Sequence, residues 1–375
     1  MNAAAKEYDG QNKYLRITDI DDTSRQFVSA DITSPDANLA EADNYRLSDG
    51  DVLFARTGAS VGKTYLYKKS DGLVYFAGFL IRAKIKESVS AGFIFQNTLT
   101  RSYERYIAIT SQRSGQPGVN AQEYAEYQLM LPELFEQEKI AKLLEALDTL
   151  ITLHQRKYEK LVNIKKSMLD KMFPPNGASV PEIRFKGFTD PWEQRKISEL
   201  AEKTYGGGTP TTSNEAFWNG NIPWIQSSDI VDGKLIGVEP RKYITQTGLN
   251  SSATQLVPKN SIAIITRVGV GKLAYMPFSY STSQDFLSLS KLNTEPFFTV
   301  YACYKKLQSE LNTVQGTSIK GITKDELLAK TISVPVYSEQ KQIGSFFAQL
   351  DTLITLHQRE HIKPILEVKR VKRNE

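Results

Sequence analysis

The chain has 375 residues, too many for one ordinary hydrophobic core, so two or three domains are expected. Hydrophobic residues make up 40% and charged residues 24%, as in soluble globular proteins. The net charge of +5 is compatible with nucleic acid but too mild to indicate it. The single cysteine, Cys303, excludes an internal disulfide framework and a cysteine-built zinc site. With no apolar run of the roughly 20 residues that a membrane span needs and no signal-peptide pattern, we expect a cytoplasmic protein.

The first part of the chain predicts short strands joined by loops. Residues 51–55 (DVLFA) and 75–85 (YFAGFLIRAKI) are apolar and rich in β-forming residues, and clusters of Gly, Asn, Ser and Thr separate such segments. Strand-and-loop structure is therefore expected up to the first long helix.

A glycine-rich segment, RTGASVGKT at 56–64, resembles a phosphate-binding P-loop. Only three residues separate Gly58 from the Gly62-Lys63 pair, however, where that motif has four. A turn that carries one arginine and one lysine is the better interpretation. It either brings cations and backbone amides to a DNA backbone or forms a tight hairpin with solvated charges.

A long helix is predicted from residue 137 to 172. No Gly or Pro interrupts it, and it could span roughly 54 Å at 1.5 Å per residue. Apolar residues recur at heptad spacing and form a wide stripe, which requires a partner helix. A Pro- and Gly-rich connector, PPNGASVPE at 174–182, then leads to a second strand-rich part with segments such as 261–265 (SIAII) and 286–292 (FLSLSKL).

The chain contains an internal duplication. LDTLITLHQR occurs at 147–156 and again, unchanged, at 350–359, and the match extends upstream at the same offset through Pro132 with Pro335 and Gly118 with Gly321. A second long helix is therefore predicted at 340–372, as the antiparallel partner of the first. Pro364 should kink or interrupt it near residues 360–364.

The globular parts of the two copies have diverged. LRITDI at 15–20 aligns with IQSSDI at 225–230, and RTGASVGK at 56–63 aligns with RVGVGK at 267–272, which is two residues shorter. This alignment pairs the arginines, and likewise the lysines, of the two turns. Preserved helices beside divergent globular parts indicate one scaffold that presents two different binding surfaces.

No catalytic or metal site is indicated. All three histidines, His154, His357 and His361, lie on the predicted helices, where polar residues that fix coiled-coil register are the better interpretation. GxSxG is absent, as are the motifs of amino-methyltransferases and magnesium-dependent nucleases. We therefore expect a protein that is not an enzyme in its own right.

Several stretches in the second copy, taken in order, carry a family resemblance. They are PEIRF at 181–185 with Gly187-Phe188 and Trp192, KISEL at 196–200, and GGGTPTTSNEAFWNGNIPW at 206–224; each helix also follows a proline and a Glu-Gln pair. Together they closely resemble specificity subunits of type I restriction-modification enzymes, over essentially the whole chain.

The resemblance implies an α+β architecture with an internal pseudo-twofold repeat. Two α/β target recognition domains would be separated by two long antiparallel helices that form a coiled coil. We expect a first recognition domain at 1–135, a central conserved helix at 136–175, a second recognition domain at 176–337 and a distal conserved helix at 338–375.

In this family each recognition domain reads one half of a split, asymmetric site in double-stranded DNA. The helices space the domains and dock the modification (methyltransferase) subunits. This chain would itself use no cofactor, because the partner subunits use S-adenosylmethionine, ATP and magnesium for adenine methylation and for restriction by a translocase and nuclease subunit. A rod of roughly 50 Å exceeds one DNA turn of about 34–36 Å, so it can act as a ruler.

Candidate residues follow from the shared loops and the helices. Arginine bidentate to guanine and glutamine to adenine are the usual geometries of base recognition, although solvated surface roles remain open for each residue. The DNA-binding candidates are Arg56, Lys63, Arg113, Gln116, Thr209, Gln226, Arg267, Lys272, Gln315 and Lys320. The coiled-coil and subunit-docking candidates are Ile140, Leu147, Leu150, His154, Leu161, Ile343, Leu350, Leu353 and His357.

Two points stay open at the level of the sequence. The first copy has no counterpart of PEIRF, GFTDPW or GGGTP, so we expect its recognition domain to be incomplete, either through truncation or because another chain completes it. A coiled-coil interaction scaffold without DNA specificity is the alternative function, and salt-dependent binding to duplex DNA would separate the two.

Overall fold

The computed structural model describes residues 1–27, 31–175, 177–313 and 321–371. By its internal contacts the chain divides into two compact units, Met1–Leu153 (unit 1) and His154–Glu375 (unit 2). The division falls inside a 38-residue helix, which contributes its first part to unit 1 and its last part to unit 2. No helix among the described residues is long and apolar enough to cross a membrane.

Unit 1 consists of small sheets and three short helices followed by the first part of the long helix. The first strand pairs antiparallel with the third, the second pairs parallel with the sixth, and the fourth lies between the fifth and the seventh. The main apolar cluster lies beneath these sheets and includes Leu15, Leu53 and Val74, all fully buried. The elements are β1 (Ala4–Glu7), β2 (Asn12–Leu15), β3 (Thr33–Asp36), β4 (Val52–Ala55), β5 (Thr64–Leu66), β6 (Leu73–Phe76), β7 (Leu80–Ala83), α1 (Ala91–Asn97), α2 (Arg101–Thr110), α3 (Ala121–Ala125) and α4 (Leu134–Lys171).

Unit 2 repeats this plan with longer strands. A four-stranded antiparallel sheet has the order β13 (Leu273–Met276), β12 (Ser261–Ile265), β15 (Phe286–Leu292), β9 (Ala201–Gly206). A three-stranded sheet has the order β11 (Lys242–Ile244), β10 (Trp218–Ile225), β14 (Ser281–Thr282), and β8 (Glu193–Lys196) pairs antiparallel with β16 (Thr331–Val334). A large core joins the helices to the four-stranded sheet and includes Phe298, Tyr301 and Phe347, all fully buried. The elements are β8 (Glu193–Lys196), β9 (Ala201–Gly206), β10 (Trp218–Ile225), β11 (Lys242–Ile244), α5 (Gln246–Asn250), β12 (Ser261–Ile265), β13 (Leu273–Met276), β14 (Ser281–Thr282), β15 (Phe286–Leu292), α6 (Pro296–Thr313), α7 (Lys324–Ala329), β16 (Thr331–Val334) and α8 (Tyr337–Val371).

The duplication extends to individual hydrogen bonds. In unit 1 the Gln137 side chain accepts a hydrogen bond from the Ser90 amide at 3.0 Å, and in unit 2 Gln340 accepts one from the Glu295 amide at 2.9 Å. Each glutamine also donates to the carbonyl of the proline before its own helix, at 2.8 Å. Both glutamines are buried, so the two copies anchor their long helices to the globular part in the same way.

Within unit 2 the last part of α4 packs antiparallel to α8. His154 lies opposite its own duplicate, His357, with their Nδ1 atoms 3.1 Å apart, and Lys165 lies opposite Asp351. Because one histidine nitrogen must donate and the other accept, this contact matches the predicted polar position in the helix pair. Of the two outcomes expected at Pro364, a kink or an interruption, the interruption is wrong, because α8 continues to Val371. Loss of one amide donor does not end a helix whose other bonds persist.

The predicted coiled-coil positions divide into buried and exposed sets. Ile343 and Leu350 are buried against the globular core of unit 2, and Leu161 packs partly against the same cluster. Leu150 and Leu353, by contrast, are 52% and 42% exposed. The apolar stripe of each helix therefore includes positions that the packing within unit 2 does not bury. Ile140 is half-buried, and Leu147 is 37% exposed.

Candidate nucleic-acid interface

The glycine turn of unit 1, residues 56–63, joins β4 to β5. The Ala55 amide donates to the Lys63 carbonyl at 2.9 Å, and the Gly62 amide donates to the Ala55 carbonyl at 3.0 Å. Gly62 has a φ of +82°, and a Cβ there would lie 2.6 Å from a methyl carbon of Ile107 on α2. A glycine is therefore required for the turn to pack against this helix. The Gly62 amide is therefore bonded within the protein and is not free to bind a phosphate.

The corresponding turn in unit 2 has the same design but is one residue shorter. The Ile265 amide donates to the Lys272 carbonyl at 2.9 Å, so residues 266–271 lie where 56–62 lie in unit 1. Lys63 and Lys272 are thus equivalent, as predicted. The predicted pairing of Arg56 with Arg267 is wrong by one position, because Thr266 occupies the place of Arg56. A sequence alignment can shift a gap by one residue at no cost, whereas a hydrogen-bond ladder cannot.

The second shared loop meets the glycine turn in both units. In unit 1 the Val119 amide donates to the Arg56 carbonyl at 2.9 Å, and the Gly58 amide donates to the Pro117 carbonyl at 3.0 Å. In unit 2 the Ile322 amide donates to the Thr266 carbonyl at 2.8 Å. The structure therefore brings together the two loops that the sequence singled out separately. The candidates Gln315 and Lys320 lie outside the described residues.

The four unit 1 candidates have different surroundings. Arg56 and Gln116 are exposed. Lys63 is mostly covered, with its Nζ 2.5 Å from Asp22 Oδ1. Arg113 donates to the carbonyl of residue 110 at the end of α2 and pairs with Glu123. The Asn120 amide first, and then Arg113, hold the pKa of Glu123 below its usual value. Lys63 and Arg113 therefore have structural partners of their own.

Three unit 2 candidates border one segment, residues 281–285. The Thr209 hydroxyl donates to Gln284 Oε1 at 2.8 Å. The Ser283 amide donates to the carbonyl of residue 225, next to Gln226, and the residue 266 amide donates to the carbonyl of residue 285, next to the exposed Arg267. Gln226 is half-buried, and its side chain donates to Ser228 Oγ at 2.9 Å. The tertiary fold thus gathers positions that are far apart in the sequence.

An equivalent position in unit 1 was not singled out from the sequence. Arg16 begins the 3₁₀ turn that Gln226 begins in unit 2. Its guanidinium donates to both carboxylate oxygens of Asp19 at 2.9 and 2.8 Å, and these bonds raise the pKa of Arg16. The aligned LRITDI and IQSSDI segments were the available signal. The position carries arginine in one copy and glutamine in the other.

An aromatic and cationic cluster in unit 2 was also missed. The rings of Trp218 and Trp224 lie edge to face with centroids 5.2 Å apart, and Lys242 Nζ lies 5.8 Å from each centroid. Trp224 donates to the Gly208 carbonyl at 3.0 Å, which ties the cluster to the loop that carries Thr209. Lys242 is the cross-strand partner of Trp224, and only the strand register reveals this.

The described residues contain no group of three or more His, Cys, Asp or Glu side chains that could hold a metal ion. Cys303 is fully buried, and burial raises the pKa of its thiol to about 12. This thiol is therefore protonated at neutral pH and is not a reactive nucleophile.

Comparison with known proteins identifies related sequences along both copies. A family model for the type I restriction modification DNA specificity domain matches residues 2–163 and again residues 189–366. The putative type I restriction enzyme MjaX specificity subunit of Methanocaldococcus jannaschii is 23% identical over 329 residues, which are 84% of this chain and 75% of that protein. A type I restriction enzyme specificity subunit of Escherichia coli is 30% identical over 169 residues, 43% of this chain and 41% of that protein.

Among solved structures, a type I restriction-modification system S subunit from M. genitalium has a TM-score of 0.63 at 12% identity. The match covers 99% of this chain and 92% of that one, and it shows a shared fold. The two family matches cover both copies of the duplication, which confirms the predicted two-domain architecture and the predicted resemblance. The chain therefore belongs to the family of type I restriction-modification DNA specificity domains, the non-catalytic DNA-recognition part of these systems.

Proposed function

We propose that this chain reads an asymmetric, two-part sequence in double-stranded DNA, with one half-site read by each unit. The observation that carries this proposal is a backbone frame common to both units whose exposed side chains differ. In each unit the amide of the turn's first residue donates to the carbonyl of the residue just before the neighbouring strand, β7 in unit 1 and β15 in unit 2. The carbonyl of that first turn residue accepts a hydrogen bond from the amide of the second shared loop.

The side chains on this frame differ in the properties that base recognition depends on. In unit 1 the frame carries Arg56 beside Phe79, a residue that is 58% exposed. In unit 2 the same two positions are Thr266, which is buried and whose hydroxyl donates to the Asp285 carbonyl at 3.0 Å, and Asp285, which is half-buried and precedes β15. The exposed side chains on the two frames therefore differ: a cation beside an aromatic ring in unit 1, and in unit 2 a half-buried carboxylate with the exposed Arg267 one position after the buried threonine. Such surfaces match different patterns of donors and acceptors in the major groove. One protein therefore presents two different reading surfaces.

The proposed contacts follow from exposure. The exposed Arg56 and Arg267 are the strongest candidates for base edges, because the guanidinium can bond guanine through two hydrogen bonds. Lys63 and Arg113 hold loops in place through Asp22 and Glu123, and we assign them to positioning rather than base reading. The remaining proposed contacts are Gln116, Thr209, Gln226, Lys272, Gln315 and Lys320.

We further propose that residues 1–135 and 176–337 are the recognition domains and that 136–175 and 338–375 are the conserved helices. Leu150 and Leu353 occupy the same position in the two copies and are exposed in both. A leucine exposed at the same position of both helices suits two copies of one modification subunit, with a restriction subunit joining that complex. Those subunits would supply the S-adenosylmethionine, ATP and magnesium chemistry, in the cytoplasm.

The test is methylation by the chain in complex with its modification subunits, read out by sequencing methylated genomic sites. Arg56→Ala should relax specificity only in the half-site read by unit 1, and Arg267→Ala only in the other half. Each loss should amount to about 1–3 kcal/mol, or roughly 5- to 150-fold. Lys186→Ala, which removes an exposed cation outside both frames, is the matched control and should change neither half-site.

An unchanged site in both arginine variants would contradict the assignment of these residues. Binding to duplex DNA that does not weaken as salt increases would contradict DNA recognition itself, because phosphate contacts give a steep loss of affinity with salt. That second outcome would favour a protein-interaction scaffold.

A further inference from the structure

The aligned segments 15–20 and 225–230 each contain a 3₁₀ turn that is capped by a buried aspartate. In unit 1 the Asp19 carboxylate accepts the amide of residue 16 at 2.9 Å, and in unit 2 the Asp229 carboxylate accepts the amide of residue 226 at 3.0 Å. Asp19 is 8% exposed and Asp229 is 7% exposed. One oxygen of each carboxylate is enough for this cap, so the cap leaves the second oxygen unexplained.

An arginine pairs with the second oxygen in both units, although it comes from different elements. In unit 1 the turn supplies it, because Arg16 donates from Nη2 to Asp19 Oδ1 at 2.8 Å and from Nε to Oδ2 at 2.9 Å. In unit 2 the turn carries Gln226 instead, and Arg241, directly before β11, lies with its Nε 3.5 Å from Asp229 Oδ1. That oxygen is buried and accepts no hydrogen bond from the described residues. A buried carboxylate is unfavourable without a paired cation, so the arginine stabilises it in either copy.

The capped turn lies beside the glycine turn in both units. In unit 1 the segment 77–79 lies between Arg16 and Arg56: its first amide donates to the carbonyl just before Arg16 at 2.9 Å, and its last carbonyl accepts the Arg56 amide at 3.0 Å. In unit 2 the segment 283–285 makes the same two bonds, at 2.9 and 2.7 Å, to the carbonyl before Gln226 and to the first amide of the glycine turn. The arginine and its aspartate therefore belong to the same backbone frame as the candidate DNA contacts.

The pairing with aspartate leaves the outer edge of the Arg16 guanidinium available. Nε and Nη2 donate to the carboxylate, Nη1 donates to none of the described residues, and the side chain is 36% exposed. The Arg241 side chain is 66% exposed. A guanidinium has five N–H donors in one plane, so a carboxylate on one edge does not block the other. Arg113 differs, because its Nη1 donates to two backbone carbonyls and its Nη2 to Glu123.

We infer that Arg16 and Arg241 are a further pair of specificity-determining residues, one in each unit, and that Asp19 and Asp229 are the positioning residues that hold them. This inference rests on the proposed function. The ligand is a pair of acceptors on a base edge in the major groove, for which O6 and N7 of guanine are the usual partners of arginine. A guanidinium that is already held loses less side-chain entropy on binding, so the paired arginine binds the correct base more tightly than a free one does.

The test is sequencing of methylated sites with the full chain in complex with its modification subunits. Arg16→Lys keeps the charge but cannot donate two parallel hydrogen bonds, so it should relax one base position of the half-site read by unit 1. Discrimination at that position should fall roughly 5- to 150-fold. Arg241→Lys should do the same in the other half-site. Arg195→Lys is the matched control and should change neither, because Arg195 donates through the same Nε and Nη2 atoms to Glu193 but lies outside both frames.

A second variant of the turn makes the test sharper. Arg16→Gln introduces the residue that unit 2 carries at this position, so the turn accommodates it. Because glutamine suits adenine as arginine suits guanine, this variant should lose discrimination at the same base position as Arg16→Lys and favour adenine there.

The aspartates are tested through their arginines. Asp19→Asn keeps an oxygen that can accept the amide of residue 16, so it preserves the cap, but it removes the charge that holds the guanidinium. It should weaken discrimination about 2- to 10-fold at the base position that Arg16→Lys relaxes. Combined with Arg16→Lys, it should have no further effect on that position. A purely structural role would instead lower the midpoint of thermal unfolding and leave the recognised bases unchanged.

Unchanged half-sites in Arg16→Lys and Arg241→Lys would overturn the inference. A uniform loss of methylation at all sites, without a change at one base position, would overturn it as well, because phosphate contacts carry no sequence information. Failure of this inference is distinguishable from failure of the proposed function. In the first case Arg56→Ala and Arg267→Ala still relax their half-sites, whereas in the second the wild-type complex itself shows no defined two-part site.

Discussion

The buried ion pair between the two helices of unit 2 allows a prediction with a defined magnitude. Lys165 Nζ lies 2.5 Å from Asp351 Oδ1 and donates to the Gly233 carbonyl at 2.8 Å. The two side chains are only 9% and 7% exposed. Tyr301 donates to the second oxygen of Asp351 at 2.6 Å. Burial first, and then Asp351, raise the pKa of Tyr301, so the hydroxyl remains a donor at neutral pH.

Lys165→Met removes the ammonium group and leaves a carboxylate in the core with one hydrogen-bond donor. An uncompensated buried charge of this kind costs about 3–5 kcal/mol of unfolding free energy. The triple variant Lys165→Met, Asp351→Leu, Tyr301→Phe removes the charges and the unpaired hydroxyl together. It should therefore recover to within about 1–2 kcal/mol of wild type, because replacing a whole buried ionic cluster by apolar groups is often close to neutral.

Urea unfolding followed by tryptophan fluorescence is the assay of choice. All three tryptophans, Trp192, Trp218 and Trp224, lie in unit 2, so the signal reports on this unit alone. A single variant within about 0.5 kcal/mol of wild type would refute the reasoning, since surface-like pairs contribute that little. A triple variant as unstable as the single one would refute it as well, because packing and not charge would then dominate.

Gly62→Ala should lower the unfolding free energy of unit 1 by about 1–3 kcal/mol, because it places a methyl group against α2 at a positive φ. Thermal unfolding followed by circular dichroism measures the effect. Gly115→Ala is the control and should leave the unfolding midpoint unchanged, because no atom lies within 4 Å of the added carbon. The backbone amides of Asn120 and Thr323 donate hydrogen bonds to the carboxylates of Glu123 and Glu326 and lower the pKa of each below its ordinary value of 4.5. Each ionised carboxylate therefore stabilises the folded state above pH 4.5, and that contribution is lost as the pH falls through the lower pKa of the folded state. Glutamine at both positions should therefore flatten the pH dependence of the unfolding midpoint below pH 4.5, and an unchanged dependence would argue against these caps. Seven residues inserted within 142–165 should lengthen the gap between half-sites and leave their sequences unchanged in methylated-site sequencing; an unchanged gap would refute the ruler model.

The duplication and its helices could be predicted because they depend on residue identity alone. Identical residues at identical spacing form the same local bonds, as the matched contacts of Gln137 and Gln340 show. The family resemblance rested on the same kind of information, an order of short motifs along the chain. The two glycine turns were also located correctly. Gly62 and Gly271 each adopt a positive φ, which glycine tolerates best, so glycines in the sequence mark these turns.

The candidate site could be predicted only in part. The loops of Arg56 and Gln116 were identified separately, but their meeting depends on hydrogen bonds across more than sixty positions of chain, such as that from residue 119 to residue 56. The pairing of Lys63 with Asp22, which covers a predicted DNA contact, was likewise hidden. Such contacts depend on which distant segments the folded backbone brings together, and no local sequence pattern encodes the distance between two such segments.

By itself the sequence determined that the protein has two copies of one plan and a long helix in each copy. The tertiary structure alone decided that Thr266, not Arg267, stands where Arg56 stands, because hydrogen bonds define one register while an alignment gap can move freely. It also decided that Glu136 is exposed where Glu339 is buried. Identical residues acquire different environments because burial depends on which other segments of chain pack against them.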